Sequence, residues 1–202
     1  MDKRKKALLI GLILGDGHLN AHSGVALEIE HGSKQKSYLE YKANLLVTLL
    51  GGKLPSIYHR IKKDTYKISK GHRYFRILYK WIYKSGEKRF SRKMLNYLTP
   101  EAIALWWMDD GSHAKDYYKG TKKIRSHSFY FYTMTNPEDT QNIIDFFKEK
   151  YDINFYPIKK LNKKGEIRYY LKCRTREGRK WSSLLRPYIL PEFEYKLMSP
   201  EE

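Results

Sequence analysis

Apolar residues occupy every side of a helical wheel drawn through Leu8-Leu9-Ile10-Gly11-Leu12-Ile13-Leu14, the pattern of a helix enclosed by protein all round. Charge returns at Asp16, and Gly17 supplies a helix stop. Gly11 and Gly15 lie four apart, on one face, where a second backbone can approach. A second run of this kind follows Thr99-Pro100-Glu101, which reads as N-cap, N1 proline and acidic first turn; it closes with Asp109-Asp110-Gly111. Val25, Leu27 and Ile29 alternate with Ala26, Glu28 and Glu30, predicting a half-buried strand whose hairpin partner is 18–21, turning through His22-Ser23-Gly24. Residues 34–50 carry helical periodicity that Gly51-Gly52 ends. Short strands are predicted at 57–61, 65–69 and 73–79, the last running into a short helix through Trp81-Ile82-Tyr83, and a short helix at 91–98.

The second half repeats the order. Strands are predicted near 113–118 and 126–134, then a helix capped by Asn136-Pro137-Glu138 and running to about Lys150. Strands at 155–159 and 166–174 are joined through the turn-like Asn162-Lys163-Lys164-Gly165, and 181–188 reads as a closing helix. Each half is thus helix, hairpin, helix, hairpin, helix. Asp110-Gly111 follows Asp16-Gly17 by 94 residues in a chain of 202, which suggests an internal duplication.

Charge sharpens this picture. A net charge of +18 and a pI near 9.7 predict a polyanionic partner, most simply nucleic acid. The single cysteine, Cys173, excludes an internal disulfide and a cysteine-based zinc site. Lys3-Arg4-Lys5-Lys6 before an apolar run has the outline of a signal peptide, but the run is short, Asp16 interrupts it and no small-residue cleavage site follows. It is also too short to span a bilayer. The expectation is a soluble intracellular protein, of the cytoplasm or a DNA-containing organelle, neither secreted nor bound to membrane.

Along 166–174, Arg168, Tyr170, Lys172 and Arg174 project to one side and Ile167, Tyr169, Leu171 and Cys173 to the other. In the first half Thr65, Lys67 and Ser69 lie opposite Tyr66 and Ile68, and 73–80 adds Arg76 and Lys80. Such faces can neutralise phosphates and read base edges. Glu28 and Glu30 either accept from cytosine amino groups or face solvent. A carboxylate at a helix end sits against backbone carbonyls that already carry partial negative charge, so Asp16 and Asp110 each call for a cation. Hard oxygen ligands suit Mg²⁺, with Mn²⁺ as a substitute; the carbonyls of Gly15 and Asp109 could complete the set. His18 and His113 follow the Asp-Gly pairs and are expected as strand or loop residues near the site.

The two Asp-Gly segments resemble the paired signature helices of LAGLIDADG homing endonucleases, in particular the monomeric, two-motif enzymes of group I introns. Asn96-Tyr97-Leu98-Thr99-Pro100, Pro187-Tyr188-Ile189-Leu190-Pro191 and Tyr195-Lys196-Leu197 resemble that subgroup as well. The resemblance implies an α+β fold: two pseudo-symmetric αββαββα halves, 1–98 and 99–202, packed through the motif helices into one compact unit. Twisted antiparallel sheets would form a DNA-binding saddle. It implies a monomer that makes a metal-dependent double-strand break in DNA at a long, asymmetric site. Asp16 and Asp110 would be the catalytic metal ligands, and Lys88 and Lys196 the assisting lysines, with Arg89 able to replace Lys88. Leu105 and Asp109 replace the small residues that correspond to Gly11 and Gly15, which makes the helix packing asymmetric. Competing expectations are an RNA maturase acting on group I intron RNA and a non-cleaving DNA-binding protein. An intein nuclease domain is not expected, since the chain opens on the first motif.

Overall fold

The computed structural model describes residues 2–22 and 24–201. The chain divides into two compact units, Met1–Lys88 and Arg89–Glu202. The first contains α1 (Lys3–Leu14), β1 (His18–Asn20), β2 (Ala26–Gly32), α2 (Lys36–Leu50), β3 (Tyr58–Arg60), β4 (Thr65–Gly71), α3 (Arg73–Ile82) and the small ribbon β5 (Tyr83–Lys84) with β6 (Glu87–Lys88). Its four-stranded antiparallel sheet has the order β1-β2-β4-β3. The second contains α4 (Arg92–Leu95), α5 (Pro100–Asp110), β7 (Gly111–Tyr117), β8 (Ile124–Thr135), α6 (Pro137–Tyr151), β9 (Tyr156–Leu161), β10 (Ile167–Arg174) and α7 (Thr175–Leu185). Its sheet is ordered β7-β8-β10-β9, the same topology. The expected α+β class and the αββαββα order are therefore present, as open antiparallel sheets with helices.

Local chemistry sets the helix starts. Asp2 caps α1 by accepting from the Lys5 N–H at 2.9 Å, and the Lys3–Lys6 stretch is the exposed or half-buried first turn of that helix. Thr99 caps α5 through the Ala102 N–H at 3.3 Å, and Asn136 caps α6 through the Asp139 N–H at 2.9 Å. Gly51 ends α2 at φ +72°, a conformation that side-chain-bearing residues resist. The predicted turn through His22-Ser23-Gly24 includes Ser23, which lies outside the described residues. Both motif helices are buried, α1 from Ala7 to Leu14 and α5 from Ala102 to Met108. In the second unit, aromatic rings form the core: Trp181 lies 5.2 Å from Trp107, 5.1 Å from Phe147 and 5.1 Å from Phe155, all edge-on.

Three expectations are corrected. Residues 73–79 form a helix rather than a strand. His72 caps the Tyr74 N–H at 3.2 Å, and Phe75, Leu78 and Ile82 make a buried stripe at helical spacing. The aromatic and β-branched residues between them disguised the period. α3 therefore closes the first αββαββα set, in place of the helix expected at 91–98. Only Arg92–Leu95 is helical there, and Arg89 and Phe90 belong to the second unit: Arg89 bonds Asp139 at 2.7 Å and Phe90 stacks on Trp106 at 5.5 Å. Third, Gly15 caps α1, so Asp16 lies just beyond the helix, whereas Asp110 is the last residue of α5.

Gly17 has a different task. Its N–H donates to the Leu12 carbonyl at 3.0 Å, so its Cα rests on the end of α1. A Cβ there would overlap that carbonyl oxygen and come within 3.0 Å of Ile13 Cα, both backbone atoms. Gly17→Ala is expected to lower unfolding free energy by about 1–3 kcal/mol. Gly32→Ala, where an added Cβ meets nothing within 4 Å, is the control. Equal denaturant midpoints for the two variants would refute this account of the Asp-Gly pair.

Candidate functional site

In the first unit, Asp16 emerges from a buried helix with its side chain 41% exposed. Its Oδ2 lies 3.4 Å from Nδ1 of His31, at the end of β2. His31 Nε2 is 2.9 Å from Nζ of Lys42, which is fully buried on α2. Lys88, on β6, donates its Nζ to the Gly15 carbonyl at 2.9 Å. Arg89 instead bonds Asp139 and Glu138, each at 2.7 Å, and those hydrogen bonds hold its guanidinium above the ordinary arginine range. Lys88, not Arg89, is the cation at this helix end.

In the second unit, Asp110 Oδ2 accepts from the Trp106 indole N–H at 3.0 Å, one turn back on its own helix. Lys196 is buried and donates its Nζ to the Met108 carbonyl at 2.6 Å. The last carbonyls of a helix have no partner within it. Each motif helix thus receives a lysine ammonium at its negative end, one or two residues before the aspartate. His113 meets His127 at 2.9 Å, and His18 lies 3.4 Å from the Tyr83 hydroxyl.

The two sheets carry polar faces of different chemistry. Glu28 pairs with Lys67 at 2.8 Å; Glu30 pairs with Arg60 at 2.7 Å and accepts from Thr65 at 2.6 Å. The Lys67 hydrogen bond holds the Glu28 carboxyl below its ordinary range, and the Thr65 hydroxyl does the same for Glu30. Ser69 faces Glu28 across the β2–β4 ladder. Arg76 and Lys80 are exposed on α3, so they do not extend this strand face. On the second sheet Leu171 and Cys173 are buried, while Arg168, Tyr170, Lys172 and Arg174 lie on the opposite side. Lys172 sits 4.9 Å over the Tyr130 ring, Tyr170 lies 5.3 Å from Tyr132, and Arg168 bonds Glu166 at 2.9 Å.

Sequence reasoning passed over His31, Lys42 and Trp106. The available signal was Lys42 itself, a charge inside the apolar stripe Tyr38, Leu39, Ala43, Leu46 of α2.

A profile of the LAGLIDADG DNA endonuclease family matches residues 6–181. The chain belongs to that family. It is 28% identical over 209 residues to the probable intron-encoded endonuclease 1 of Wickerhamomyces canadensis, covering 98% of this chain and 85% of that protein. It is 24% identical over 208 residues to protein RecA of Mycolicibacterium chitae, covering 95% of this chain but only 45% of that one, so it spans about half the length of such relatives. The fold is similar to that of the homing endonuclease I-WcaI, solved bound to its DNA recognition sequence: TM-score 0.75, 24% identity, 98% of this chain and 87% of the other. Among the described residues of this LAGLIDADG chain no helix is long and apolar enough to cross a membrane.

LAGLIDADG nucleases are metal-dependent. The donor chemistry at the motif ends fits a hard cation: carboxylates and main-chain carbonyls, with the one cysteine buried elsewhere on β10. The Gly15 carbonyl already accepts from Lys88, which leaves it one lone pair.

Two outcomes follow from these contacts. Lys196→Met removes a buried charge-assisted hydrogen bond and is expected to cost about 1.5–3 kcal/mol in denaturant unfolding; a change near zero would mean water satisfies the Met108 carbonyl equally well. Lys67→Met should raise the Glu28 pKa toward the ordinary glutamate value, read by carboxyl NMR titration. The sign is fixed by the lowered carboxyl: the pair stabilises the fold above the ordinary pKa and is lost as pH falls through the depressed one. An unmoved Glu28 titration would show that Lys67 does not set it.

Proposed function

We propose that this chain is a monomeric homing endonuclease that cuts both strands of duplex DNA at a long, asymmetric site, with Mg²⁺ as its metal. The observation that carries this is the pair of Asp-ended buried helices, each with a lysine on its terminal carbonyls, in a chain of charge +18. One carboxylate per unit gives a single chain the means to break two strands. Asp16 with the Gly15 carbonyl in the first unit, and Asp110 with the Asp109 carbonyl in the second, would be the metal's ligands. When bound, Mg²⁺ supplies activation of a water and polarisation of the scissile phosphate. Lys88 and Lys196, donors at the two helix ends, stabilise the charge that develops on the phosphate.

The polar sheet faces bind the duplex. Lys67 and Arg60 on the first, and Arg168, Lys172 and Arg174 on the second, release counterions from phosphates. Glu28, Glu30, Ser69 and Tyr170 contribute hydrogen bonds to base edges, and Arg76 and Lys80 reach flanking backbone from α3. The differing faces support two different half-sites. The site of action is a DNA-containing compartment, cytoplasm or organelle.

The test is incubation of the purified chain and Mg²⁺ with a duplex carrying the joined-exon sequence of its own insertion locus. A double-strand break is expected. Asp16→Asn and Asp110→Asn should each abolish it while retaining binding in a gel-shift assay. If both variants cut at the wild-type rate, these carboxylates are not the catalytic ones.

A further inference from the structure

Lys42 is a feature the fold of the first unit does not require. It is fully buried on α2, beside Tyr38, Leu39, Ala43 and Leu46, where a leucine would pack and a charge is expensive to desolvate. Its Nζ lies 4.2 Å over the Tyr38 ring and 2.9 Å from His31 Nε2. An ammonium group donates hydrogen bonds and accepts none. His31 Nε2 must then present a lone pair, which leaves the ring proton on Nδ1. Nδ1 is the nitrogen 3.4 Å from Asp16 Oδ2. One arrangement suits all three groups: Lys42 donates to Nε2, and the Nδ1 proton faces the Asp16 carboxylate 3.4 Å away.

The second unit is built differently at this position. Ser112 faces Tyr130 across its first hairpin as His18 faces Glu28 across the other. Three residues on, His31 has Thr133 as its counterpart, and Thr133 donates its hydroxyl to the Tyr169 carbonyl at 3.4 Å. Asp110 takes its hydrogen bond from Trp106. The two carboxylates are thus oriented by different chemistry.

We propose that Lys42 and His31 are a positioning pair for Asp16, with Lys42 fixing the Nδ1–H tautomer of His31 and His31 aiming the carboxylate. Because the second unit has Thr133 where the first has His31, removal of the pair unbalances the cutting of the two strands. His31 acts through Asp16, its Nδ1 3.4 Å from the Asp16 carboxylate and its Nε2 2.9 Å from Lys42. The strand imbalance rests on the nuclease activity proposed above; the tautomer does not.

The test begins with the full chain, labelled with ¹⁵N-histidine and free of metal, at a pH where a free imidazole is neutral. His31 should show a protonated Nδ1 and a bare Nε2, its signals assigned by their loss in His31→Gln. Lys42→Met should release the tautomer toward Nε2–H, raise the Mg²⁺ concentration for half-maximal cleavage roughly tenfold, and accumulate nicked duplex. A second pair of variants covers failure of Lys42→Met to fold: His31→Gln, which keeps an amide donor, should cut both strands more evenly than His31→Leu. A protonated Nε2 in the wild type overturns the proposal. So does a Lys42→Met protein with unchanged tautomer and unchanged strand ratio. If the wild-type chain cut no DNA, the nuclease proposal would fall, and the wild-type tautomer would still decide the pairing.

Discussion

A carboxylate at the C-terminal end of a buried helix sits in an unfavourable field. The last backbone carbonyls carry partial negative charge, and burial removes the water that would screen it. Asp16 and Asp110 both occupy such ends. The chain answers with lysines that arrive from far along the sequence, Lys88 on the Gly15 carbonyl and Lys196 on the Met108 carbonyl. These contacts tie β6 and the Tyr195-Lys196-Leu197 segment to their motif helices. They also leave each carboxylate partly open to solvent, where a hard cation can reach it. The same two contacts thus neutralise both helix ends.

The two units share an order of elements and a strand order, yet they fill that frame differently. The first orients its aspartate through His31, backed by Lys42; the second uses an indole N–H one turn back. The buried residues of the first are mostly aliphatic, among them Leu27, Ile29, Leu46 and Ile68, while the second is packed with Trp107, Phe131, Phe147 and Trp181. Trp107 also explains the second Asp-Gly pair, because a Cβ on Gly111 would overlap its ring. Gly17 is required by backbone and Gly111 by an aromatic side chain, so one short motif is maintained by two unrelated contacts.

Much of this was legible in the sequence because it is local. Thr99-Pro100, Asn136-Pro137 and Gly51-Gly52 mark helix boundaries through contacts spanning only a few residues, and the structure has boundaries there. The burial of both motif helices was legible because no polar face exists to point outward. Residues 73–79 misled for the complementary reason: in Arg73-Tyr74-Phe75-Arg76-Ile77-Leu78-Tyr79, exposed Ile77 and half-buried Tyr74 and Tyr79 blur the stripe of Phe75 and Leu78. The Lys42–His31–Asp16 contacts could not be read, since they join a helix, a strand and a helix end. The lone visible trace was one charge in an apolar stripe.

The ion pairs on the first unit's sheet differ in kind from the buried pair of the second unit. Glu28–Lys67 and Glu30–Arg60 are partly exposed ion pairs, a class that contributes at most about 1 kcal/mol each. Pairs this weak satisfy the face in water without locking it. An incoming anion can draw Lys67 or Arg60 away at little cost, and the glutamate released is then an acceptor on β2. Buried pairs such as Arg89–Asp139 behave oppositely: Asp139 is almost inaccessible, and leaving it alone would strand a charge in the interior. Weak, partly exposed pairs on the first unit's sheet can exchange partners, whereas the Arg89–Asp139 pair of the second unit is fixed in its frame.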